Sequence, residues 1–300
     1  MLLARSRLGL VFAIASIGGA VSAACVGSDA GPQPTQQTSS DSGTPNNPDT
    51  GRPDTPDGGG AGDADAGPKG FCASKAAPVG AADFFCADFD GPKVEDGWTS
   101  VFNAAPDAGP FSLAPVTNVF LSPPRALNGA ATPGTGFGAR GGYFEWKKAG
   151  ATPVKGIEVS FGINPTPLGG LVATSTGSVT FAEMGVPTAN AAFMYTNGGT
   201  VGGGAYTGYY LQFIVSNGAA ALTSVRVPTS PKPDEWTVVR MRYGQTGTFE
   251  LLYNDVSILT PTAFQMTGTE AYVQLGSATS GVTTSVQGHR FDNFTVAVTR

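Results

Sequence analysis

The chain has 300 residues, a net charge of −5, 13% charged and 10% aromatic side chains, 43 glycines, 23 prolines and one histidine. That balance excludes a nucleic-acid binder, which needs a basic face for phosphates, and docking on anionic lipid through side-chain charge. Low charge with abundant Gly, Thr, Ser and Val fits a turn-rich β protein.

Arg5 and Arg7 precede an apolar run from Leu8 to Ala24 that ends in small residues, the pattern of a secretory signal over 1–24. The run contains Gly18 and Gly19 and is short for a membrane span. Val21-Ser22-Ala23-Ala24-Cys25 resembles the bacterial lipobox, with Ser22 where that pattern has Leu. The resemblance implies lipidation of Cys25 and an exported protein held at the outer membrane or cell surface. Cleavage after Ala24 without lipid, giving a secreted or periplasmic protein, is the alternative. Residues 26–70 hold ten Gly, seven Pro, seven Asp and no aromatic, too little apolar surface to offset the entropy of ordering. They read as a tether, and 71–300 as the folded domain.

The chain has three cysteines, Cys25, Cys72 and Cys86. With Cys25 lipidated, an even pair remains, and export makes a Cys72–Cys86 disulfide the expectation. Two cysteines and one distant histidine are too few for a metal site.

Beyond the signal no segment keeps a helical period, and strand signals recur. Phe84–Phe89 is a first strand. Tyr143–Lys147, Ile157–Ile163 and Val179–Met184 follow. Tyr209–Ser216, Asn217-Gly218 and Ala219–Val227 read as a hairpin, since Asn-Gly tolerates positive φ at both positions. Trp236–Tyr243 alternates, with Val239, Met241 and Tyr243 on one side and Arg240 and Arg242 on the other. Thr248–Tyr253 turns at Asn254-Asp255 into Val256–Leu259. Ala271–Leu275 and Phe291–Thr299 end the series, with Phe294, Val296 and Val298 inward. Many short strands with Gly/Pro turns predict an all-β, two-sheet antiparallel sandwich.

Several segments then fall into a familiar order: Phe-Phe-Cys-Ala-Asp-Phe-Asp at 84–90, Gly97-Trp98, Ser-Pro-Pro-Arg-Ala-Leu at 122–127, Trp236 opening its strand, Leu-Leu-Tyr-Asn-Asp at 251–255, and Phe-Asp-Asn-Phe-Thr-Val at 291–296. The order resembles concanavalin A-like lectin/glucanase domains of the laminin G-like kind, over about residues 80–300. It implies a jelly roll with one concave and one convex sheet, and first and last strands side by side.

Glucanases of that superfamily place two carboxylates on one strand in a pattern near E-x-D-x-x-E. This chain has none. Glu145, Glu158, Glu183 and Glu250 each stand alone on their strands, and Glu158 with Glu183 is the pair that separate strands could unite. His289 reads as part of a turn into the last strand, and the glycines at 134–138 and 202–204 as loops. The expectation is therefore a non-catalytic surface lipoprotein whose sandwich binds carbohydrate or serves adhesion. A polysaccharide-active hydrolase or lyase with a nonstandard site, and a purely structural envelope protein, are the alternatives. Candidate sugar platforms are Trp146, Tyr206, Tyr209, Tyr210 and Tyr253, with the Tyr206–Tyr210 group beside a mobile glycine loop. Asp88, Asp90 and Asp292 would meet if the end strands pair. A structural calcium is one answer to their charge, and Arg290 or backbone N–H groups are another. Expected partners are the membrane, through lipid, and a glycan or surface protein.

Overall fold

The computed structural model describes residues 70–104, 112–131, 140–166, 178–216, 220–259, 261–280 and 287–300. The signal, Cys25, nearly all of the tether, Asn217-Gly218 and the glycines at 134–138 lie outside the described residues. A single 3-10 turn, Phe71–Ser74, precedes sixteen strands, and no α-helix occurs among the described residues.

The strands are β1 (Asp83–Ala87), β2 (Ser100–Ala104), β3 (Ser112–Val116), β4 (Ala126–Ala131), β5 (Arg140–Ala149), β6 (Gly156–Pro165), β7 (Ser178–Val186) and β8 (Ala189–Val201). They continue with β9 (Gly204–Ser216), β10 (Ala220–Arg226), β11 (Thr237–Gly244), β12 (Thr248–Tyr253), β13 (Val256–Ser257), β14 (Thr262–Ala263), β15 (Glu270–Ser280) and β16 (Gln287–Thr299). One sheet of nine strands runs β13-β12-β11-β6-β16-β4-β3, with β1 on β16 and β14 on β12. The other runs β10-β9-β8-β7-β15-β5-β2. Every pairing is antiparallel, and the end strands lie together, Phe85 opposite Val296. The two sheets pack as a jelly-roll sandwich.

Alternation drives the layering. β11 buries Thr237, Val239, Met241 and Tyr243 and turns Val238, Arg240 and Arg242 outward. β16 buries Phe294, Val296 and Val298 completely. These side chains meet Phe161, Phe181, Phe193, Phe249 and Phe291 from both sheets in one core. Full burial of each such side chain contributes about 1.5–3 kcal/mol. Cys72 and Cys86 are bonded, which staples the chain before β1 to that strand.

Strand β8 had no signal in the sequence. Its residues, ANAAFMYTNGGTV, are rich in Ala, Asn and Gly, poor strand formers. It is extended because β7 and β9 pair with it on both sides. Bulges interrupt the pairing between Thr180 and Ala182, Leu275 and Ala278, Thr196 and Gly199, and Asp292 and Thr295. Each re-aims the residues beside it.

Candidate functional site

In the seven-stranded sheet the core takes Phe144, Trp146, Ala182, Met184, Val273 and Leu275. Side chains alternate across a strand, so Tyr143, Glu145, Lys147, Glu183, Tyr272 and Gln274 share the opposite, outer face. Register aligns them. Glu145 on β5 pairs with Gln274 on β15, and Gln274 with Glu183 on β7. The row continues through Ala192 to Gln212 and Ser224 on one side and to Ser100 on the other. One row thus crosses the whole sheet, roughly 29 Å at ~4.8 Å per strand. Every member but Ala192 is polar.

Hydrogen bonds divide the row into two linked halves. Glu145 accepts from Gln274 Nε2 at 2.9 Å and from Ser100 Oγ at 3.1 Å, and pairs with Lys147 Nζ at 2.7 Å. Gln274 also bonds the Tyr143 hydroxyl. Glu183 Oε1 accepts a 2.6 Å bond from the Tyr272 hydroxyl, and Tyr272 is bonded in turn by Asn190. Desolvation raises the Glu183 pKa above the usual carboxylate range, the Tyr272 bond partly opposes this, and the Glu145 charge raises it further. Burial, with the charges of Glu145 and Glu183, pushes Tyr143 up to about 12. Buried acceptors without a partner, Asn190 Oδ1 and Gln212 Oε1, lie on the same face.

A carboxyl with a raised pKa beside a cation-paired carboxylate is an asymmetry that acid–base chemistry can use. β5 and β7 lie roughly 10 Å apart at two strand spacings, with Gln274 of β15 between them. The bulges at Thr180/Ala182 and Leu275/Ala278 adjoin the row. Two clefts lie elsewhere, one lined by Phe213, Val215 and Phe264 and the other by Pro165, Tyr195 and Tyr209. The polar row instead runs straight across the outer face of the sheet, with Glu145 and Gln212 buried within it.

Sequence reading missed this row, although it left a local sign. Phe144-Glu145-Trp146, Ala182-Glu183-Met184 and Val273-Gln274-Leu275 each set one polar residue in an apolar strand. Glu158 does not join Glu183. It lies on the outer face of the nine-stranded sheet, where Arg240 holds it at 3.3 Å and Arg242 at 2.9 Å, and Arg242 also holds Glu250 at 3.1 Å.

The predicted aromatics are placed differently from expectation. Trp146, Tyr209 and Tyr253 are core residues: Trp146 stacks on Phe85, Tyr209 on Phe193, and Tyr253 packs edge-on to Phe193. Tyr210 is on the outer face but is buried against Ala192, Met194 and Val201, with Tyr206 packed on that cluster. Tyr206 donates to the carbonyls of Tyr209 and Val227, and Arg226 covers its ring. Gly202 and Gly203 form the turn between β8 and β9 and Gly204 opens β9, with Arg226 bonded to the carbonyls of Val201 and Ala205 on either side. His289 is within β16, fully buried, rather than in a turn.

The three aspartates do come near one another, but all of their oxygens except Asp90 Oδ2 are engaged. Asp88 accepts from the N–H groups of Cys72 and Asp90. Asp292 accepts from Leu121, Ser122 and Asn293 N–H. Burial raises the Asp292 pKa to about 6 against those bonds, with a smaller push from Asp90. Asp90 accepts from Arg125 N–H, while the Arg125 guanidinium donates to the carbonyls of Asp90 and Gly91. Asp90 Oδ2 is buried without a partner, and burial raises its pKa. Arg290 turns away to Asn164 and Asp234. Among the described residues no three His, Cys, Asp or Glu side chains form a group that could hold a metal ion.

No protein-family model matches the chain, and no curated protein matches it. Its sandwich is similar to an endo-β-1,4-glucuronan lyase from the fungus Trichoderma reesei. The TM-score is 0.51 at 11% identity, over 73% of this chain and 96% of that one. The fold is the concanavalin A-like jelly roll. Weaker likenesses are a cellulose-induced protein (TM-score 0.47, 15% identity, 71% and 96% covered) and an alginate lyase from a Chlorella virus (0.46, 11%, 71% and 98%). The likeness to the glucuronan lyase corrects the expectation of a protein without catalysis. That expectation rested on carboxylates that stand alone in sequence. The same sandwich carries a lyase in the fungal protein, and here Glu145 and Glu183 are brought to one face across Gln274.

Proposed function

We propose that the domain cleaves an extended polysaccharide on the outer face of the seven-stranded sheet. The observation that carries this reading is the pairing of a high-pKa Glu183, held by Tyr272, with the Lys147-bound Glu145 across Gln274. Glu183 holds its proton and gives it to the departing glycosidic oxygen. Glu145, its charge stabilised by Lys147, Gln274 and Ser100, takes the other proton: in hydrolysis from the water that attacks the anomeric carbon as its bond to the departing oxygen breaks, and in elimination on a uronate from C5, whose electrons form the C4–C5 double bond as the C4–O bond breaks. Gln274 keeps Glu145 and the Tyr143 hydroxyl at fixed spacing. The length of the row favours a polymer over a small sugar. An export signal and a tether suit a protein that meets such polymers outside the cell.

The test is release of new chain ends from laminarin, alginate, carboxymethylcellulose and a β-1,4-polyglucuronate. Glu183→Gln and Glu145→Gln should each lower the rate by about 10²–10⁴-fold while melting stays near that of the parent. Rates should fall as pH rises through the Glu183 pKa, at a pH above the ordinary carboxyl range, because the acid form is then lost. Ultraviolet absorbance of an unsaturated product separates elimination from hydrolysis. Absence of cleavage on all four polymers, or wild-type rates in both variants, would rule the proposal out.

A further inference from the structure

We infer that Phe102 and Tyr143 form a stacking subsite for one pyranose ring of the substrate, beside the Glu145–Glu183 pair. The inference rests on the polysaccharide reading above and adds a residue to which nothing so far gives a role.

Phe102 is on β2, the edge strand of the seven-stranded sheet, opposite Tyr143 on β5. Its side chain is 40% exposed and belongs to neither buried cluster. A large exposed aromatic on a sheet edge is a sticky feature that folded chains normally blunt with charge. Here the ring is ordered by a partner: the Phe102 and Tyr143 rings stack at 4.9 Å with 20° between planes. Tyr143 is itself fixed, since Gln274 bonds its hydroxyl and Gln274 also bonds Glu145. The chain of contacts Phe102–Tyr143–Gln274–Glu145 joins the exposed ring to the carboxylates. Across one strand and two residues, the Phe102 and Glu145 backbones are roughly 8 Å apart.

The chemistry of the pair selects its occupant. An aromatic face carries negative quadrupole charge and apolar area. A pyranose with mostly equatorial hydroxyls offers a face of axial C–H bonds, apolar and slightly positive, while its hydroxyls stay at the rim. Such a ring on Phe102 leaves its hydroxyls free to reach polar groups of the row. The platform would therefore hold a sugar next to the one being cleaved and fix the chain's position.

Affinity electrophoresis of the full protein in gels with laminarin, alginate, carboxymethylcellulose or β-1,4-polyglucuronate tests this, together with kinetics on any polymer that is cut. Phe102→Ala and Phe102→Leu should weaken retardation and raise KM by about tenfold, with kcat little changed, and Phe102→Trp should restore both. Melting temperature should hold, since the side chain packs in no buried cluster. Retardation and KM equal to wild type in Phe102→Leu would overturn the subsite even if cleavage persists. Retardation that depends on Phe102 without cleavage would keep the subsite and remove the cleavage reading. Neither binding nor cleavage by the wild type would remove both.

Discussion

His289 lies inside the sandwich between two rings. Its imidazole stacks on Phe181 with centroids 3.9 Å apart, and its Nε2 is 2.7 Å from the Tyr209 hydroxyl. Nδ1 faces the Gly288 carbonyl, which only accepts, so Nδ1 carries the proton and Tyr209 donates to Nε2. Burial lowers the His289 pKa from 6.5 to about 3. The unfolded chain therefore binds a proton here below about pH 6.5, whereas the folded chain does not until about pH 3. Stability should fall as pH drops through that window, by up to about 1.4 kcal/mol per pH unit from this group. In His289→Gln, which keeps an acceptor for Tyr209, the acid slope of Tm should be shallower than in the parent. Parallel slopes would show that the neutral imidazole is not what limits acid stability. The polar row follows the same logic with opposite charge: burial raises the Glu183 pKa, which in the proposed reaction suits it to the acid role.

Among the elements, β1 and β16 close the fold. Phe85 packs on Trp98, Trp146 and Phe294, bringing β1, the segment after it, β5 and β16 into one aromatic group. Arg300 adds a bond to Asp83 at 2.9 Å and reaches the carbonyls of Lys148, Thr152 and Thr269. The Cys72–Cys86 bond, with a sequence separation of 14, ties the incoming chain to β1. In the chain-entropy model a loop of this size contributes about 3 kcal/mol. Replacing both cysteines by serine should lower the unfolding free energy by about that amount in denaturant melts, with the far-ultraviolet β signal retained. No change would mean that the loop is equally constrained in the unfolded chain. Strand β8 illustrates the opposite case. Its Ala192 is the one gap in the polar row, and its conformation is imposed by neighbours on both sides.

For the whole molecule, the sandwich is described from residue 70 onward, and the segment before it is known only by its sequence. We propose that Cys25 is lipidated and that the tether holds the sandwich off a membrane. Cys25→Ser should move the protein from the membrane fraction to the soluble exported fraction. Retention in the membrane fraction would remove the anchor. Among the described residues no helix is long and apolar enough to cross a membrane.

Period-two alternation, turn residues and cysteine parity are local properties. They suffice to predict an all-β sandwich, the inward faces of β11 and β16, and the Cys72–Cys86 pair. Which strands become neighbours is not local. Glu145, Glu183 and Gln274 are far apart along the chain, and register alone puts them in line. The same holds for the aromatics: Trp146, Tyr209 and Tyr253 look like surface platforms in sequence, but the face each strand turns to the core places them inside. Phe102 goes the other way, because an edge strand leaves its outer face uncovered. Only the tertiary structure decided the site, since side-chain direction is set by the strand's period but its company is set by pairing across the sheet.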